Sequence, residues 1–276
     1  MSAIWTAGEV LIDLIPKEPG SSDRDPIVGG GPANTAKALA RLGFDSYFLD
    51  GISTDEYGAM CRGELSESGV NLQYAPTIDK PTALAIVTLS PEGSATYAFK
   101  LDGTATFDFD RSWLPDPVNP PAVLHVGTLG TLIEPGASVL YSWAQEVDAP
   151  IVYDPNIRTS ILGDRDKYLS SVVKWAALSS VIKMSDDDAS WLFPGKSYSE
   201  IAATFLNMGV HVVVFTKGAD GIEGFTKHGA VSVPGVKVNV VDTVGAGDTV
   251  GAILVESVVS YGINDLHGEL LEKTLK

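Results

Sequence analysis

The chain predicts an α/β fold built on a largely parallel sheet, and three observations support this. β-rich apolar runs alternate with helix-like segments for most of the length. Polar clusters close several of those runs: Asp13 after "VLI", "GGGPAN", "DPNIR" after "IVY", "SDDD" after "VIKM", "TKG" after "HVVVF", and "DTVGAGD". In open parallel sheets ligands bind beyond the carboxyl ends of the strands, so clusters gathered at that end mark a site. Finally, 276 residues with 45% hydrophobic content can bury a full core.

The elements follow in order. "AIWTAGEVLIDLIP" reads as a first strand, and "PANTAKALARLGF" as a helix with Ala36, Leu39, Ala40 and Leu42 on one face and Gly43 at its end. "SYFLDGIS" is a strand and "DEYGAMCRGELSESG" a helix stopped by Gly69. Residues 81–103 break the alternation: "TALAIVTLS", the turn "PEGS" and "ATYAFKLDG" predict an antiparallel hairpin whose apolar face must be covered. Alternation then resumes with strands "AVLHVGTLG", "PIVYDPNIR", "SSVIKMS" and "HVVVFTKG". Helices are expected from Gly136, from Asp164, over "DDDASWLF" and over "SEIAATFLNMG". A second hairpin, "GIEGFTKHGAVSVPG", precedes a helix from near Gly245 to about Tyr261, and "INDLHGELLEKTLK" forms the next.

Charge and cysteine content narrow the functional classes. The net charge of −16, from 19 basic and 35 acidic side chains, repels nucleic acid and anionic membranes. Cys61 is the only cysteine, so no intrachain disulfide is possible. "MSAIWTAGEVLIDLIP" lacks a basic leader region, and no apolar run reaches membrane-spanning length, so a cytoplasmic setting is expected.

In "DTVGAGD", glycine at the mouth of a helix exposes N–H groups and partial positive charge to an anion. Asp248 stands inside the first turn, after the glycines, where a capping residue would precede them. A carboxylate beside anion-binding N–H groups is what phosphoryl transfer to an alcohol requires. "GGGPAN" departs from the dinucleotide fingerprint because Asn34 stands at the third glycine position; a flexible turn before a helix explains it equally well. "PGKS" fails as a P-loop because Ser190 stands at the required first glycine, and the four histidines share no metal-ligand spacing.

Together "GEVLIDLIP", "GGGPANTAKALARLG", "YDPNIR" and "DTVGAGD" resemble the ribokinase-like (PfkB) carbohydrate kinases, closest to the fructokinase branch, from about Gly8 to the end. The resemblance implies a single three-layer α/β/α kinase domain over 1–276, with the 81–103 hairpin as a small β-lid that also pairs two subunits. It implies ATP-dependent phosphorylation of a primary hydroxyl of a sugar, with Mg²⁺ brought by the nucleotide and K⁺ near Asp242. Asp248 would be the base, and Gly245, Ala246 and Gly247 the anion hole. Asp13, Gly30, Gly31, Asn34, Lys100 and Arg158 would face the sugar. Lys183, Ser185, Thr216, Lys217, Gly218 and Gly221 would face the nucleotide, and Asp188 the metal through water. Fructose is the expected sugar; 2-keto-3-deoxygluconate kinase and ribokinase share nearly every motif, and a binding relative without turnover is the alternative of a different class. Family members continue past "LLEKTLK" with an element lining the adenine pocket, so weak ATP affinity is a further expectation.

Overall fold

Runs such as "VVVFT" and "VLHVG" have no polar face to turn to water, and they become inner strands of a sheet covered on both sides. The computed structural model describes residues 3–18, 20–89, 95–236 and 245–276. In chain order, β1 (Ala3–Ala7) enters the main sheet. β2 (Leu11–Pro16) and β3 (Arg24–Gly29) lie in a second sheet. Next come α1 (Gly31–Arg41), β4 (Asp45–Leu49), β5 (Ile52–Ser53), α2 (Glu56–Glu67) and β6 (Thr77–Ile78), which pairs with β5. β7 (Leu84–Leu89) and β8 (Ala95–Lys100) complete the second sheet.

β9 (Val123–Gly127) returns to the main sheet and is followed by a 3-10 turn (Thr128–Thr131) and α3 (Gly136–Ala144). β10 (Ile151–Asp154), α4 (Arg165–Ala176), β11 (Val181–Ser185), α5 (Asp186–Leu192), α6 (Tyr198–Asn207) and β12 (Val212–Thr216) continue the alternation. The hairpin of β13 (Ile222–Thr226) and β14 (Gly229–Val233) precedes α7 (Ala246–Tyr261) and α8 (Gly268–Leu275).

The main sheet has the order β14-β13-β12-β11-β10-β9-β1-β4; β1, β4 and β9 to β12 run parallel, and the last hairpin is antiparallel. Side chains alternate across it. One face packs Leu124, Tyr153 and Phe215 against Trp143 of α3, Trp175 of α4 and Phe205 of α6. The other packs Ile4, Val123, Val152 and Val214 against Leu39 of α1, Leu254 and Val255 of α7, and Leu271 of α8. The result is the three-layer α/β/α arrangement that the sequence predicts.

The second sheet has the order β3-β2-β7-β8. Ile12, Val28 and Leu84 on one face pack with Cys61 and Leu65 of α2. Asp13, Ala85 and Phe99 are in register on the opposite face. Asp55, the N-cap of α2, accepts hydrogen bonds from Thr82 N (2.8 Å) and Thr82 Oγ1 (2.5 Å), fixing the chain just before β7. Two corrections follow. The single strand expected over "AIWTAGEVLIDLIP" is two strands in different sheets, and the one expected over "SYFLDGIS" is split between β4 of the main sheet and β5, which pairs with β6; the expected hairpin is present and forms half of the four-stranded sheet. The "PEGS" turn lies outside the described residues.

Candidate active site

Gly245 and Gly247 open the N-terminus of α7. Gly245 adopts φ 76, a left-handed conformation that suits glycine, and has no side chain to cap the helix. The first helical bond runs from Thr249 N to Gly245 O, so the preceding N–H groups of Ala246, Gly247 and Asp248 have no partner within the helix. Lys183 Nζ lies 2.9 Å from the point a Cβ on Gly247 would occupy, which puts its ammonium against this cradle. The ammonium donates to Asp154 Oδ2 at 2.7 Å, and both side chains are buried. Burial alone would lower the Lys183 pKa, but Asp154, Asp188 and Asp248 together raise it, so the group is a permanent cation.

Asp248 is held on two sides. Its Oδ2 accepts from Asn34 Nδ2 at 2.8 Å, and its backbone carbonyl accepts from Thr35 Oγ1 at 3.3 Å. Both partners sit on α1, whose N-cap, Gly30, has φ 109. Burial pushes the Asp248 pKa up to about 6; the Asn34 hydrogen bond opposes the shift, Asp154 adds to it, and Lys183 and Arg158 oppose it. A half-buried carboxylate that titrates just below neutrality, beside a cationic cradle, can accept a proton from a neutral alcohol.

A second cluster faces Asp248. A Cβ on Gly31 would lie 2.8 Å from Thr128 Oγ1, 3.2 Å from Asn156 Nδ2 and 3.2 Å from Asp248 Oδ1, so the missing side chain lets three polar groups converge. Thr128 and Asn156 are the two non-glycine residues at positive φ among those described, at 52° and 39°. Both are at this point, which suits a site that stores local strain. Arg158 Nη1 donates to Asn156 Oδ1 at 2.6 Å. Asp13, on β2, has its pKa raised by burial while the positive charge of Arg158 opposes the rise.

Beneath this cluster are two buried carboxylates, Glu9 and Asp50. Glu9 Oε2 accepts from Gly130 N at 3.1 Å, while Asp50 accepts from Val10 N at 3.2 Å and Gly51 N at 2.8 Å. Burial raises both pKa values, and that of Glu9 reaches about 7. Because the folded value exceeds the unfolded one, the contribution of Glu9 to stability is complete below about pH 4.5 and is lost as pH rises through 7. Glu9→Gln should therefore gain stability relative to wild type between pH 5 and pH 8 by about 2–3 kcal/mol. Urea unfolding at the two pH values measures it; an unchanged difference would show that Glu9 does not carry this proton.

The remaining expected residues divide into groups. Ser185 caps α5 and forms a reciprocal box with Asp188, whose Oδ2 accepts from Ser185 N at 3.1 Å. Asp188 Oδ1 accepts from Ile157 N at 2.9 Å, so each carboxylate oxygen already has a protein partner. Among the described residues, no group of three or more His, Cys, Asp or Glu side chains could hold a metal ion. Thr216 ends β12 beside the turn of Lys217, Gly218 and Gly221, and Lys217 Nζ is paired with Glu223 at 2.6 Å. Lys100 is not brought to the sugar cluster: it is in register with Leu84 and Ile12, on the face of the second sheet opposite Asp13. Asp242 and its expected K⁺ lie outside the described residues.

The model of the pfkB family carbohydrate kinases matches residues 1–275. The chain belongs to this family. A fructokinase of Rhizobium leguminosarum bv. trifolii is 36% identical over 258 residues, covering 92% of this chain and 79% of that protein. A maize fructokinase-2 is 34% identical over 261 residues, covering 90% and 78%. Among solved structures, a Xylella fastidiosa fructokinase with bound ATP superposes with a TM-score of 0.88 at 22% identity, covering 99% of this chain and 88% of that one. A Vibrio cholerae fructokinase with fructose, ADP and calcium bound gives 0.85 at 25%, covering 100% and 89%. The fold is ribokinase-like, and the chain is an ATP-dependent sugar kinase.

In this kinase, sequence reasoning missed Glu9, Asp50 and Thr128, and marked Asp154 and Asn156 only as parts of the strand-end cluster "DPNIR". Asn156 carried a faint signal, since asparagine tolerates a left-handed backbone and stands in "DPNIR". For Glu9, Asp50 and Thr128, only the packed structure supplies the signal.

Proposed function

We propose that this kinase transfers the γ-phosphoryl group of ATP to a primary hydroxyl of fructose. The observation that carries the reading is Asp248, tied through Oδ2 to Asn34 and set third in a helix whose N-terminus glycine opens, with Lys183 against it. Asp248 takes the hydroxyl proton, and the N–H groups of Ala246 and Gly247, with Gly245 at the turn, hold the negative charge that moves between donor and acceptor. Asp13, Asn34 and Arg158, with the backbone at Gly30 and Gly31, orient the sugar. Lys183, Ser185, Thr216, Lys217, Gly218 and Gly221 line the nucleotide side. ATP would supply the phosphoryl group and bring a Mg²⁺ that offsets phosphate charge, and Asp188 would hold that ion through water. The whole chain acts as one kinase domain, with the second sheet as its lid.

Two further parts of the reading concern assembly and setting. Ile27 is 47% exposed on the lid face that carries Asp13, which supports a homodimer formed through the lids. A single buried cysteine needs no oxidising compartment, which supports a cytoplasmic setting. Among the described residues, no helix is long and apolar enough to cross a membrane.

ADP release measured over fructose, ribose and 2-keto-3-deoxygluconate tests the substrate. Fructose should give the highest kcat/KM, and its acid limb should fall with a midpoint near pH 6, where Asp248 takes up its proton. Background rates with fructose, or a preference for another sugar of the panel, would refute the assignment.

A further inference from the structure

The strand residues that follow Ile4, Val123, Val152 and Val181 by two positions are Thr6, His125, Asp154 and Lys183. By the twofold alternation of strands they share the sheet face that α1 and α7 cover. A buried polar stripe therefore crosses the centre of the sheet, from Thr6 and its register partner His125 to the Asp154–Lys183 pair. Four buried side-chain atoms among the described residues have no hydrogen-bond partner: Thr6 Oγ1, both ring nitrogens of His125, and Asp154 Oδ1. All four belong to this stripe.

The His125 ring is 2% exposed, and burial lowers its pKa to about 4; Asp154 opposes the shift and Lys183 reinforces it. A neutral imidazole presents one donor and one acceptor, and leaving both unpaired in a core is costly. Beside the ring's Nε2 lies Gly251 of α7. A Cβ there would be 3.5 Å from His125 Nε2 and 3.6 Å from Thr35 Oγ1, with no other atom within 4 Å beyond its chain neighbours and the backbone of its own helix. This gap is faced by one nitrogen and one hydroxyl, and that hydroxyl donates to the Asp248 carbonyl. Polar gaps of this kind hold ordered water, whereas apolar ones stay dry.

We propose that a single water molecule, hydrogen-bonded to His125 Nε2 and Thr35 Oγ1, bridges the sheet centre to α1 and α7 at Gly251, making His125 a positioning residue for Asp248. The positioning role rests on Asp248 being the base; the hydrated site does not. Through this bridge the sheet fixes the first two turns of α7, and with them the placement of the carboxylate.

Gly251→Ala tests the bridge by sign. In a helix interior alanine is ordinarily more stable than glycine, and the new methyl would make only ordinary contacts, so a dry gap predicts a higher Tm. Expulsion of a bridging water predicts that Tm does not rise, and that kcat falls about tenfold while the sugar KM is unchanged. His125→Phe supplies a second reading: it fills the ring volume without polar atoms, so a dry site predicts stabilisation and a hydrated one a lower Tm. A rise in Tm for either variant, or an unchanged kcat for Gly251→Ala, overturns the proposal. The Tm readings do not depend on the reaction, so they remain decisive even if Asp248 proves not to be the base.

Discussion

Asp248→Asn is expected to lower kcat by roughly 10²–10⁴-fold while leaving the sugar KM within a few fold of wild type. The asparagine is isosteric and can still accept the 2.8 Å hydrogen bond from Asn34 through its amide oxygen. What it cannot do is take up a proton, so the loss falls on turnover rather than on binding. The acid limb near pH 6 should disappear with it, because Asp248 is the group that takes up that proton. Steady-state kinetics from pH 5 to pH 8 tests both points, and retention of most of the turnover sinks the assignment.

The second large effect is on stability. Lys183→Met should destabilise the protein by about 3–5 kcal/mol, the usual cost of breaking a buried ion pair by removing one partner. Asp154 is 4% exposed, its Oδ2 loses the 2.7 Å ammonium contact, and its Oδ1 already lacks a partner. The double variant with Asp154→Leu should recover most of the loss in urea unfolding, since it removes the stranded carboxylate as well. The double variant should nevertheless have weak activity, because the cation is also missing from the Gly247 cradle. A Lys183→Met protein as stable as wild type would show that this pair is not what holds the cradle's cation in place.

Much of this site was legible as sequence because its central parts are local. A glycine cradle followed by an acid, or a glycine turn followed by Asn34, is fixed within seven residues, and helix N-termini impose the chemistry. The break between β1 and β2 was not legible, since "AIWTAGEVLIDLIP" reads as one strand. The break is made by Gly8, at φ 145, lying against Pro32 and against the carbonyl of Gly127, which is over a hundred positions away. Lys100 shows a similar limit. The hairpin was visible, but which face Lys100 takes depends on its register with Leu84 and Ile12. Glu9 and Asp50 became noticeable only once burial had removed their water.

The departure of the chain from the main sheet at Gly8 divides the proposed grip on the sugar between two supports. Asp13 travels with the second sheet, whereas Asn34 and Asp248 are anchored to helices on the main one. Only Gly8, Glu9 and Val10 join β1 to β2, and two of these three make the buried contacts described above: Glu9 with Gly130, and Val10 with Asp50. The short span is thus clamped on both flanks and works as a stiff wrist rather than a loose tether. Sugar affinity in this kinase should consequently report the posture of that wrist, while the phosphate cradle, built wholly on the main sheet's side, stays indifferent to it.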